Sequence, residues 1–195
     1  MTTASEAYGR LLARHYERVW RQAGVARHWT QGPVLDLPDC FSVLEFKPSP
    51  ARQMWTYATC GMSAHVDTCA LELHLFSPEK NDRLIELLTA VAHFHCTGAR
   101  LGLGHTVNFG QPWLPRSRCS YGLVSLPYLD GPDLEVVPQE PGGHPGPIHC
   151  LWLIPVTARE VRFKKKQGLE ALEALFDRAR VDYADPHRAD VLLTG

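Results

Sequence analysis

No apolar run in the 195-residue chain reaches the roughly 18 residues that a membrane-spanning helix requires. No C-x-x-C pair occurs among the six cysteines Cys40, Cys60, Cys69, Cys96, Cys119 and Cys150, so the usual zinc-ribbon and dithiol signatures are missing. A chain this long buries about 70% of the surface its unfolded form exposes and needs no disulfide staples. Several of the cysteines also lie inside apolar runs, so reduced, buried thiols of a cytoplasmic protein are expected. Met1 to Glu6 lack the basic-then-apolar pattern of a signal peptide, which points the same way. An excess of one charge is missing too, since 20 basic and 21 acidic side chains leave a net charge of −1. That balance carries no general electrostatic footprint for nucleic acid or membrane, and neither partner is expected.

Apolar residues make up 45% of the chain, an ordinary globular value, and one domain spanning 1–195 is expected. Thr3 and Glu6 have capping-box spacing, and Tyr8, Leu11, Leu12, His15, Tyr16, Val19 and Trp20 then recur at helical period, predicting a helix over 5–22. Short extended segments follow near 43–47 and 53–59. Residues 70–76 alternate, with Leu71, Leu73 and Leu75 on one face and Glu72 and His74 on the other, the pattern of a half-buried strand. Leu84, Leu87, Leu88, Val91 and Phe94 mark the buried face of a helix over 81–97, and Gly98 suits a left-handed residue past its end.

Residues 99–119 have no clear period and read as an ordered loop with an extended piece at 105–109. A strand is expected near 121–126, a turn at Asp130–Asp133 and an exposed loop from Gln139 to Pro147. Residues 149–155 are apolar on both faces, as in a central strand. Thr157 and Glu160 form a second capping box, opening a helix near 157–166, with another over 168–179. Strands come in runs rather than in strict alternation with helices, so the fold class expected is mixed α/β, with a largely antiparallel sheet flanked by helices.

Few residues carry readable chemistry. His93 and Cys96 lie one helical turn apart, and His105 follows, but no recognised zinc spacing is present. A packed helix end is the better reading, and no metal or other cofactor is expected. No nucleophile–base pair, paired carboxylates or phosphate loop can be read, and a Cys–His or metal-dependent hydrolase stays only as the alternative. Lys164 to Lys166 read as a solvated face, with a landing site for an acidic partner as the second reading. Trp113, in the loop 109–113, and Tyr128 belong to residue types that often anchor interfaces.

Several stretches taken together carry a resemblance: Met54–Ser63, Leu71–Phe76, Gly104–Trp113, Gly122–Asp130 and Leu151–Glu160, continued by Lys166–Leu172. In this order they resemble the Suppressor of fused domain in its short, single-lobe bacterial form, over roughly residues 25–180. The resemblance implies an α/β fold like the N-terminal lobe of the animal protein, a cytosolic regulator in Hedgehog signalling that holds a peptide of its partner as an added strand between two lobes. It also implies a binding role, as in bacterial members thought to be immunity proteins, and it brings no catalytic motif.

A non-enzymatic module that neutralises or regulates a partner protein is therefore expected, with a toxin the favoured partner and a regulatory adaptor the alternative. Binding is expected at a sheet edge plus the loop 105–115, which places His105, Asn108, Phe109 and Trp113 in the site, with Tyr128 as a further aromatic anchor. Glu72 and His74 on the outer strand face, and Asp130 and Asp133 in the turn, are candidates for contact with a charged partner.

Overall fold

One seven-stranded sheet runs through the computed structural model of the chain, which describes residues 4–32, 34–66, 70–138 and 144–193. Its strands are β1 (Val25–Arg27), β2 (Ser42–Phe46), β3 (Trp55–Cys60), β4 (Ala70–Ser77), β5 (Thr106–Asn108), β6 (Cys119–Ser125) and β7 (Ile148–Thr157). They lie in the order β1-β2-β3-β4-β7-β6-β5. All neighbours are antiparallel except the central pair, β4 and β7, which run parallel. The helices are α1 (Ala4–Trp20), α2 (Arg83–Thr97), α3 (Pro132–Glu135), α4 (Ala158–Gln167) and α5 (Leu169–Ala179). The mixed, largely antiparallel α/β fold read from the sequence is the one that forms, and each expected strand and helix is present within a few residues.

Three elements went unforeseen. β1 and a 3-10 turn at Val34–Asp36 have three residues each, too few to show a period, and α3 is a single helical turn opened by Gly131 where only a turn was expected. Thr3 of the first capping box and 139–143 of the expected loop lie outside the described residues. The second capping box forms as read: the Thr157 side chain accepts from the Glu160 N–H, and the Glu160 carboxylate accepts from the Thr157 N–H. Gly98 differs from its expected role, with φ −113°, outside the left-handed region. Close approach explains it better, because a Cβ there would meet the Phe94 carbonyl oxygen at 2.9 Å.

Three layers result. Helix α2 covers one face of the sheet, packing Leu84, Leu88 and Val91 against Val43, Tyr57, Leu71, Leu73 and Leu153. On the other face α1 packs Tyr8, Leu12 and Tyr16 over Leu44, Phe46, Ala58 and Cys150. Beside it, α4 and α5 pack Val161, Leu172 and Phe176 over Leu123, Trp152 and Ile154.

Because both faces are covered, all eight residues of β4 are buried, and the expectation of a half-buried strand is corrected. Glu72 and His74 do not face solvent; each is fully buried under the α1 side. The Glu72 carboxylate accepts from the Tyr8 hydroxyl (3.0 Å), the Ser63 N–H (3.1 Å) and the Thr59 hydroxyl (2.6 Å). Burial pushes its pKa above the usual carboxylate range, against the pull of these hydrogen bonds. His74 stacks on Trp152 and meets Trp20 and Phe76 edge-on, with Nε2 3.7 Å from Asp130 Oδ2. Neither of its ring nitrogens has a hydrogen-bond partner. Burial lowers its pKa to about 4, opposed by the Asp130 charge and assisted by the Arg52 cation.

The C-terminal segment is tied to the same face by the buried Arg188–Glu160 ion pair and by a longer contact of Asp190 with Arg159 (3.9 Å). Arg188 donates to both Glu160 oxygens (2.7 and 2.8 Å), and Glu160 also accepts from the Val191 N–H. The Thr157 hydroxyl donates to Asp190, so the cap of α4 and the tail share one buried network.

Two outcomes follow. Arg188→Ala leaves a buried carboxylate without its cation and should cost about 3–5 kcal/mol in urea denaturation, whereas a cost below about 1 kcal/mol contradicts the latch. The folded His74 holds its proton more weakly than the unfolded chain does. The stability linked to it is complete above about pH 6.5 and is lost as pH falls toward about 4. His74→Phe removes that loss, so stability relative to the wild type should rise by up to about 1.4 kcal/mol per pH unit between pH 6 and 5. A difference independent of pH counts against the assignment.

Candidate functional site

Strand β5 ends the sheet, and none of the described strands pairs with its outer edge. Val124 N–H donates to the His105 carbonyl and Phe109 N–H to the Ser120 carbonyl, so the odd-numbered residues bond inward to β6. Alternation then points the N–H and C=O groups of Thr106 and Asn108 outward. Beside this edge, on the α2 face of the sheet, lies a groove of about 430 Å³. One wall is α2, through Glu86, Leu87, Ala90 and Phe94; the other is β5 and its loop, through Val107, Asn108, Phe109 and Pro112. An ion pair between Arg83 and Glu86 (2.8 Å) neutralises charge at the rim. Apolar walls beside unpaired backbone groups suit an extended peptide, whose main chain can extend the sheet while alternate side chains enter the groove.

Local packing shapes the groove. The Phe109 ring stands edge-on to Trp113 at 5.4 Å and lies over Gly122, where a Cβ would come within 3.0 Å of it. Trp113 itself is 2% exposed and supports Phe109 from below; as a solvent-facing anchor it is corrected. His105 is exposed at the entrance to β5, and Asn108 accepts the Gly110 N–H. Four of the sequence candidates, His105, Asn108, Phe109 and Trp113, are thus brought to one place.

The others are not. Glu72 and His74 are interior. The Asp130 side chain is 2% exposed, accepting from the Trp20 indole (2.9 Å) and from Arg52, whose guanidinium lies over the Trp20 and Phe76 rings. Asp133 is exposed on α3. Tyr128, 56% exposed, donates to Glu173 on α5 at 3.2 Å, away from the groove. The α2 wall was not recognised from the sequence. Phe94, expected on the buried face, is 40% exposed, and Ala90, four residues earlier, is exposed on the same side.

The groups suspected of chemistry have other engagements. His93 Nε2 meets Asp36 at 3.2 Å, while Cys96 donates to the Met62 carbonyl, and burial pushes its thiol pKa up. Among the described residues, no three His, Cys, Asp or Glu side chains are grouped to hold a metal ion. A Ser–His contact does occur, between Ser63 Oγ and His95 Nε2 (3.2 Å). There the Leu101 N–H donates to His95 Nδ1 (3.0 Å), which leaves the ring proton on Nε2. A nitrogen already donating to the hydroxyl cannot take its proton, so the pair has the wrong tautomer for a nucleophile and base.

Comparison with known proteins agrees with this architecture. The family model described as Suppressor of fused protein (SUFU) matches residues 38–189. A Neisseria gonorrhoeae FA 1090 chain described as a homolog of SUFU superposes with a TM-score of 0.80 at 30% identity, covering 94% of this chain and 96% of that one. A chain of the Sufu–Fu complex crystal structure matches with a TM-score of 0.66 at 13% identity, covering 96% and 93%. Drosophila Suppressor of Fused matches with a TM-score of 0.67 at 13% identity; 96% of this chain aligns with 52% of that one, about half its length. No curated protein matches the chain. With the family model spanning most of its length, the chain belongs to the Suppressor of fused family.

Proposed function

We propose that the protein is a non-enzymatic binding module that takes an extended segment of a partner protein onto the outer edge of β5, in the groove against α2, and thereby neutralises or regulates that partner in the cytoplasm. The observation that carries this reading is the coincidence of outward-facing Thr106 and Asn108 backbone groups with an apolar groove of about 430 Å³. A related fold occurs in the Sufu–Fu complex, which supports protein binding as the role of the chain. Enzymatic action finds no support in the Ser63–His95 tautomer or in the separate engagements of His93 and Cys96. No described helix is long and apolar enough to cross a membrane, and the five described cysteines are free thiols, as suits the cytoplasm. Of the two roles we favour immunity against a toxin, the role that the resemblance to the short bacterial form of the family implies, with a regulatory adaptor as the alternative.

Two variants test the surface. Asn108→Pro removes an outward donor without touching the β6 ladder, and Ala90→Trp fills the groove from an exposed position. Partner captured by the wild-type chain from its native cells should bind each variant about tenfold or more weakly in titration calorimetry, with the circular dichroism spectrum unchanged. Unaltered affinity in both variants removes the groove from the site. Rescue of cells poisoned by a captured toxin supports immunity; capture of a transcription factor or kinase without such rescue supports the adaptor.

A further inference from the structure

Helix α4 carries a charge pattern that neither its own fold nor the groove uses. Its exposed cations are Arg159, Arg162, Lys165 and Lys166, beside the neutral Gln167, and its sole acid, Glu160, is fully buried against Arg188. Arg159, Arg162 and Lys166 follow at i, i+3 and i+7 and form one ridge. Like charges at these spacings repel, and no acidic residue of α4 stands on the ridge to offset them. The helix dipole accounts for cations in the last turn, where Lys164 is already committed to the Gly104 carbonyl. It does not account for Arg159, which sits in the first turn, where a cation is disfavoured. Among the described residues, the acid within ion-pair distance of the ridge is Asp190, whose Oδ2 is 3.9 Å from Arg159 and already accepts from the Thr157 hydroxyl. Arg118, also exposed, extends the basic surface beyond the start of α4, because its neighbour Cys119 pairs with Thr157.

From this we infer that the exposed ridge of α4 is a second docking surface, on the opposite side of the sheet from α2, and that it receives an acidic segment of a protein partner. An anionic chain laid along the ridge relieves the built-in repulsion. The ridge is about 10 Å long, the reach of about three extended residues. Charge complementarity is local: the chain as a whole carries −1, and Glu170 and Asp177 are exposed on the adjoining α5. A long polyanion such as a nucleic-acid duplex would meet those carboxylates, and the ridge offers no aromatic face for base stacking, since Phe163 packs into the core. A membrane surface is disfavoured as well, because the apolar side of α4 is used up against the sheet and cannot insert.

The test uses a fluorescein-labelled eight-residue peptide of alternating glutamate and glycine, titrated by anisotropy at low salt against the full chain. Arg162→Glu with Lys166→Glu should weaken binding about tenfold or more, while the charge-matched pair Arg10→Glu with Arg14→Glu, exposed on α1, should weaken it far less. A single-stranded oligonucleotide of equal formal charge should bind more weakly than the peptide. Equal losses in the two double variants would reduce the effect to net charge and overturn the proposal. So would tighter binding of the oligonucleotide that is lost with Arg162 and Lys166. Circular dichroism confirms that both double variants keep their helices.

Discussion

The constraint on which most of the structure depends is that β4 is enclosed on all four sides. It is hydrogen-bonded to β3 and to β7 and covered by α2 on one face and by α1 on the other. A strand in that position can carry polar side chains only if each is answered from inside the protein. Glu72 is answered by three donors, one each from α1, β3 and the segment after β3. His74 is the exception: its ring nitrogens have no hydrogen-bond partner, and it is held neutral between aromatic rings with Asp130 3.7 Å away. These two residues therefore tie α1 and β3 to the sheet centre, and Asp130 and Arg52 extend the tie to the chain before β3 and after β6.

The arrangement also decides where the protein can bind. With the centre paired on both sides, the described strands that have a whole edge unpaired are the two at the ends of the sheet. Strand β1 is one end and β5 the other. The β5 end has an apolar helix wall set beside the edge, held open by Phe109 resting on Trp113 and Gly122. The ion pair of Arg188 with Glu160 does comparable work on the far side, fixing the tail across α4 and leaving no acid among that helix's exposed residues.

Much of this was legible in the sequence, for identifiable reasons. Alternation at 70–75, the helical stripe after Tyr8 and the Thr157–Glu160 spacing are local patterns with local causes, and each produced the expected element. The family resemblance rested on longer combinations and brought Asn108 and Phe109 to attention. What sequence could not supply was the second layer. Alternation at β4 reports two faces but not whether both are covered, because the covering helices come from residues 4–20 and 158–179, remote in the chain. That is why Glu72 and His74 were placed outside. Phe94 was misassigned for a related reason: a residue at the margin of an apolar stripe goes to core or to surface according to what stands beside the helix, here the loop after β5. Trp113 was the reverse case, an aromatic in an aperiodic loop that turns inward.

The most direct measurement is amide hydrogen exchange of the protein alone and bound to its captured partner. Strand addition at β5 predicts that the outward amides of Thr106 and Asn108 exchange freely in the unbound protein and become strongly protected in the complex, with little change along β1. Protection that appears at Val25–Arg27 instead, or unchanged exchange at Thr106 and Asn108 in a saturated complex, contradicts the account.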